Sequence, residues 1–339
     1  MSGLRVLFGM VADSSRATRQ RLLASAHAVE ATSVAGWALD WAVLAYDDNL
    51  DAWQATSASF AAARFERVRL TSVLGRGAHH ARAVHVHRDR LLNYSLSHRG
   101  SYDVVWFMDG DISLHRLDLH ALFRRWRCAR RCGSLPNGPA LITQPTIEPA
   151  TQLWGLNHEY WNQSELVTVH TRWIEQQAPI FDGPFLEWLH RQPLVRSILG
   201  LQDVHGTSWG MDAIWCSAAS AYVASEPAAS GRVPCALQTI PVVHEDAGGM
   251  PHKEVAKGGM RLLRDAGLIA ASCTNASCTV HRWFYLPDGR LKMLARYNPV
   301  LRAGWVTSGC LAGETHANSA LRARKWRTRR GPVSTLIES

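Results

Sequence analysis

The segment from Asp103 to Met108 (DVVWFM) is apolar after its first residue and runs straight into Asp109-Gly110-Asp111. An apolar run without alternation reads as a strand covered on both faces, because a strand with one wet face places a polar residue at every second position. Leu4 to Val11 (LRVLFGMV) and Trp41 to Tyr46 (WAVLAY) repeat the pattern, and Phe65 to Val73 reads as a further strand. Helical stretches separate them. Leu22, Leu23 and Ala26 recur at helical spacing within Arg16 to Val29, with Ser14 or Ser15 as the cap, and a second helix spans Ala83 to Leu96. Strands that alternate with helices predict an α/β fold with a mixed, mainly parallel sheet flanked by helices. Ligands bind such sheets beyond the carboxyl ends of the strands, so Asp47-Asp48 and the acidic triplet are expected on one functional edge.

The second half is less regular. It offers a turn at Pro136 to Pro139, a short strand from Ala140 to Gln144, a helix from about Pro184 to Leu199, a helix from Trp215 to Ala224 and a last sheet strand from Leu237 to His244. A helix at Met260 to Ala266 and an apolar segment at Leu291 to Leu294 follow. No repeat or low-complexity tract interrupts the chain. The simplest division is a catalytic domain over 1–260 and a C-terminal appendage with a basic tail over 261–339.

Net charge bears on partners. The formal charge is +9, but Arg322, Arg324, Lys325, Arg327, Arg329 and Arg330 carry six of those charges, and the body is left near +3. That distribution argues against a nucleic-acid binder and for a solvated basic end. No stretch reaches the roughly 18 apolar residues that a transmembrane helix needs. The start shows no signal peptide, which points to a cytoplasmic chain unless it was trimmed from a secretory enzyme. Seven cysteines include two pairs close enough to bridge locally, Cys128 with Cys132 and Cys273 with Cys278. Three sequons, at Asn93, Asn162 and Asn275, matter only in the secretory case. Fourteen tryptophans suit core packing first and sugar-stacking platforms second.

The triplet carries the chemistry. Two carboxylates two residues apart on a straight strand point to opposite faces, and the intervening glycine permits a bend that lets both address one cation. Hard oxygen ligands suit Mg2+ or Mn2+, which would bridge the phosphates of a nucleotide-diphosphate sugar and stabilise a diphosphate leaving group. Haloacid-dehalogenase-like phosphatases also place Asp-x-Asp after an apolar strand. Theirs is the first strand, however, whereas at least two precede Asp109 here, and the lysine they require is scarce in this chain. Asp48, at the end of the second strand, is a candidate to hydrogen-bond the nucleotide base or ribose. The segment with His79, His80, His85 and His87 lacks carboxylate or cysteine partners at ligand spacing and reads as solvated.

Four segments in order extend this reading: Ile142-Thr143-Gln144-Pro145, Glu175 to Phe181, Trp209-Gly210-Met211-Asp212 and Ile240 to His244. With the triplet they resemble a glycosyltransferase-like family of GT-A type, catalogued as lysine-ketoglutarate-reductase trans-splicing-related proteins, over roughly residues 90 to 260. Met211 departs from the family's usual leucine. The resemblance implies a nucleotide-diphospho-sugar transferase-like fold and transfer of a sugar from a nucleotide-diphosphate donor to a glycan or small-molecule acceptor. It implies Asp109 and Asp111 as the metal- and diphosphate-binding pair. His244 would be the third ligand, whose imidazole tilts preference toward Mn2+. Asp212 would be the acceptor-side base, and Trp209 and Gly210 substrate-binding residues. The alternative from another class is a sugar- or partner-binding protein that keeps the fold without catalysis.

Overall fold

The computed structural model describes residues 3–75, 84–128, 140–149, 168–170, 174–207, 211–230, 232–245, 261–262, 265, 281–285 and 291–295. The unbroken apolar runs become β1 (Arg5–Ala12), β2 (Ala38–Ala45) and β4 (Val104–Asp109), each buried after its first residue or up to its last. With β3 (Val68–Gly75) they form the parallel half of the sheet in the order β3-β2-β1-β4. Val11 pairs with Asp109 and Ala12 with Ala45, so the strands end level and both acidic clusters lie past one edge.

Three helices make the crossovers. In α1 (Arg16–Thr32), Ser15 is the N-cap and accepts from the Thr18 amide. In α2 (Leu50–Ala63), Asn49 does the same for Ala52. The third is α3 (Val84–Arg99).

The other half of the sheet is mixed. β8 (Ile180–Asp182) runs antiparallel to β4 and to β6 (Ile142–Pro149). β6 runs parallel to β9 (Cys235–His244), which also pairs with β7 (Thr168–His170). β10 (His281–Tyr285) and β11 (Leu291–Ala295) extend that edge antiparallel. β9 is therefore not the sheet's last strand, contrary to expectation. Among the described residues, β5 (Ile112–Ser113) pairs only with the end of β9.

Alternation along β4 divides the core. Val104, Trp106 and Met108 join Phe8, Trp41 and Trp53 under α1, α2 and α4 (Leu119–Cys128). Val105 and Phe107 join Phe181 and Trp215 under α3, α5 (Gly183–His190), α6 (Pro193–His205) and α7 (Met211–Ser225). The rings of Phe8 and Trp41 stack at 4.6 Å, so the described buried tryptophans serve packing. The single helix expected over Pro184 to Leu199 is two. Gln192 is extended, as a residue before proline is driven to be, and Pro193 starts α6.

Cys216 of α7 and Cys235 of β9 form a disulfide. It is not among the local pairings expected from spacing, whose members Cys132, Cys273 and Cys278 lie outside the described residues. His85 and His87 are buried in the helix α3 rather than solvated; His79 and His80 lie outside the described residues.

Candidate active site

The alternation that buries Phe107 against α3 carries on to Asp109, whose side chain meets the same layer. There Arg88 of α3 donates from Nη2 to Asp109 Oδ1 at 2.8 Å. The arginine side chain is 2% exposed and that of the aspartate 33%. Burial pushes the Asp109 carboxyl up to about 6; Arg88 and His244 pull it down and the charge of Asp111 adds to the rise. The Asp109 amide donates to Gln177 O and that of Phe107 to Pro179 O, both at 3.0 Å, so the chain from Gln177 to Pro179 lies along the end of β4.

Gly110 is required for room. A Cβ there would stand 2.9 Å from Ala12 Cβ and 3.1 Å from its Cα. Its carbonyl accepts from Arg21 Nη1 of α1, and Arg21 Nε reaches Glu245 Oε2 at 3.1 Å. The chain then turns into β5, where Ile112 pairs with His244 and the Glu245 amide donates to Asp111 O at 3.0 Å. This pairing brings His244 Nε2 to 3.1 Å from Asp111 Oδ2. Burial raises the Glu245 carboxyl, but hydrogen bonds from Ser113 and Arg21 outweigh it and leave the pKa low.

Among the described residues, no group of three or more His, Cys, Asp or Glu side chains forms a ready metal cage. The direct contact of His244 with Asp111 takes up one of the donors. The other Asp111 oxygen, Oδ1, is buried without a hydrogen-bond partner. A carboxylate oxygen in that state is a hard donor without a protein partner, so the set Asp109, Asp111 and His244 fits a divalent cation in chemical type.

At the neighbouring strand ends, Ser14 donates to Asp47 Oδ2 from its amide at 2.8 Å and from its hydroxyl at 2.5 Å, tying the β1 and β2 ends together. Asp48 is exposed, with a left-handed φ of 57°, and its carboxylate lies over Gly75 at the end of β3. Asp212 is buried in the first turn of α7, on the Arg88 side of the sheet, where the helix dipole favours its charge. It is thus a residue of the helix proper rather than its N-cap. Its neighbours Met211 and Trp215 share with Arg88, His85 and Phe181 the walls of a small cavity. Trp209 and Gly210 lie outside the described residues.

No family model matches the chain, and no curated protein matches it in sequence. The family-level resemblance therefore gains no support from that direction. Solved structures are similar in shape only. A fragment of TarS from S. aureus aligns at a TM-score of 0.40 and 12% identity over 79% of this chain and 66% of its own. The mannosyltransferase PcManGT from Pyrobaculum calidifontis, in complex with GDP-Man and Mn2+, gives 0.42 and 11% over 80% and 77%. GalNAc-T7 with UDP, GalNAc and Mn2+ gives 0.41 and 12% over 77% and 48%. This chain thus spans just under two thirds of the TarS fragment. Likenesses this distant say nothing of what this chain binds.

Arg88 and Arg21, which hold the triplet from opposite faces of the sheet, were not singled out from sequence. Neither carries a clear sequence signal: His85, Arg88, Leu92 and Ser95 share a buried face of α3 that is only partly apolar, and the partners of Arg21 come from the turn after β4 and the end of β9.

Proposed function

We propose that the chain is a glycosyltransferase that moves a sugar from a nucleotide-diphosphate donor to a hydroxyl of a glycan or small-molecule acceptor. Asp109, Asp111 and His244 would hold Mn2+ or Mg2+. The observation that carries this reading is the orphaned, buried Oδ1 of Asp111, whose other oxygen meets His244 and which stands two residues beyond Asp109 at the carboxyl edge of the parallel strands. A divalent cation bound there would supply positive charge to the departing diphosphate.

The chain's own residues do the rest. Arg88 and Arg21 fix the triplet's side chain and backbone before any ligand arrives, so the site does not have to be ordered on binding. Asp48, at the end of β2, takes the base or ribose. Asp212 accepts the proton of the acceptor hydroxyl, and Trp209 with Gly210 lines the sugar site. Catalysis belongs to residues 1–260, with 261–339 as an appendage.

The test is Asp111→Asn. Wild-type protein is expected to hydrolyse a UDP- or GDP-linked sugar in Mn2+, and to melt at higher temperature with that nucleotide and Mn2+ together. The variant should lose both responses while keeping its circular dichroism. Equal responses in the two proteins would refute the metal role. Nucleotide binding without turnover in either protein would point to a binding protein on this fold.

A further inference from the structure

Arg88 ranks with Trp41, Trp53 and Trp106 among the largest fully buried side chains. Only its Nη2 is satisfied; Nε and Nη1 are buried without hydrogen-bond partners. The Phe107 ring faces the guanidinium carbon at 5.8 Å, and the surrounding walls include Phe181, Leu186, Met211 and Trp215. A guanidinium desolvated in such a pocket with two donors unmet opposes folding, and a methionine would suit these neighbours better. Stability does not account for the arginine. Its partner does.

Arginine stays charged at any pH a protein meets. At 2.8 Å it occupies one oxygen of Asp109 and offsets that carboxylate's charge. A dication approaching alone therefore meets the attraction of Asp111 and little more, with a fixed positive charge behind Asp109 repelling it. A dication that arrives on a nucleoside diphosphate brings negative charge of its own, which Arg88 attracts.

We propose that Arg88 is a positioning residue that makes cation capture by Asp109 and Asp111 conditional on the nucleotide: it turns one aspartate oxygen to the ligand and cancels the charge that would trap a free cation. This rests on the glycosyltransferase reading above, and the experiment separates the two. The full chain is titrated with Mn2+ alone, and with Mn2+ plus UDP or GDP, and bound Mn2+ is followed by electron paramagnetic resonance. The proteins are wild type, Arg88→Met, Arg88→Gln and Arg88→Lys, each checked by circular dichroism.

In wild type the nucleotide should tighten Mn2+ binding by about tenfold or more. Arg88→Met should bind Mn2+ alone about tenfold tighter than wild type and lose most of the nucleotide effect. Arg88→Lys, which keeps the charge, should follow wild type. If Arg88→Met does not fold, Arg88→Gln carries the same expectation. A folded neutral variant that binds Mn2+ alone no tighter than wild type overturns the role of Arg88 and leaves the enzyme reading intact. Wild type that binds no Mn2+ with either nucleotide overturns both.

Discussion

Gly110 lies against Ala12 so closely that a Cβ at position 110 would stand 2.9 Å from the Ala12 Cβ and 3.4 Å from the Val11 carbonyl. The end of β1 therefore shapes the triplet. Gly110→Ala should cost about 1–3 kcal/mol of stability, the range for overpacking a close contact. It should also displace Asp109 and Asp111 and reduce the rise in melting temperature caused by Mn2+ with nucleotide. Ala12→Gly removes the opposing atom, so the double variant should recover part of both losses in a double-mutant cycle. Urea unfolding measures the first loss and thermal melts the second. Strictly additive effects of the two substitutions would show that the contact is not the cause.

The Cys216–Cys235 bridge closes a loop of sequence separation 19 and joins the helix that carries Asp212 to the strand that ends on His244. Cross-linking a loop of this size restricts the unfolded chain by about 3 kcal/mol in the entropy account. The Cys216→Ala, Cys235→Ala double variant should unfold at lower urea by about that amount. Adding reductant should lower the midpoint of wild type and leave the double variant unchanged. A midpoint insensitive to both would mean that the bridge contributes nothing to stability.

Elements whose side chains all point into core were legible in the sequence. β4 was plain because Val104 to Met108 offer no polar residue to either face. α2 was not anticipated, because only Trp53, Thr56 and Phe60 of its fourteen residues are buried and most of the rest is alanine and serine. α4 was not anticipated either, although Leu119, Leu122, Phe123 and Trp126 are buried at helical spacing, because the helix is short and lies between the triplet and a turn. The edge position of Asp109, Asp111, Asp47 and Asp48 followed from parallel-sheet geometry alone. The disulfide and the two arginines did not follow, since each depends on partners brought together by tertiary packing: α7 on β9, α3 under β4, and α1 beside the turn after β4. Burial of His85 and His87 escaped for a related reason, as a histidine-rich stretch reads as wet until its helix has a face to turn inward.

Away from the site, Asp89 of α3 gathers two partners across the helix layer, with His190 Nδ1 at 2.6 Å and Arg196 Nη1 at 2.9 Å. Burial raises its carboxyl, but the hydrogen bonds and charges of His190 and Arg196 outweigh that and hold the pKa below its ordinary value. A carboxyl lower in the folded than in the unfolded chain stabilises fully above the unfolded pKa of about 4, and the contribution is lost as pH falls through the lower folded value. Asp89→Asn should therefore destabilise by about 1–3 kcal/mol at pH 7. The gap between wild type and variant should narrow from about pH 4 downward. Urea unfolding of both proteins across that range decides it. A gap that widens on acidification would contradict the sign.

Arg21 tests whether the triplet's backbone needs its clamp. Its side chain is 12% exposed and reaches two groups, the carbonyl of Gly110 and the carboxylate of Glu245, which is 35% exposed. A pair with one partner this open to solvent contributes about 0–1 kcal/mol, so Glu245 is the lesser half of the interaction. Gly110 O is the greater half, because it loses a charged donor at a turn whose next residue, Asp111, must stay aimed at the proposed cation site. Arg21→Gln keeps a donor of shorter reach and Arg21→Met keeps only the stem. The expected order of nucleotide-with-Mn2+ thermal response is wild type, then Gln, then Met, while urea midpoints should shift by no more than about 1 kcal/mol. Glu245→Gln should resemble wild type in ligand response, since the Glu245 amide, not its side chain, holds Asp111 O. If Glu245→Gln fails as badly as Arg21→Met, the ion pair and not the carbonyl contact governs the turn.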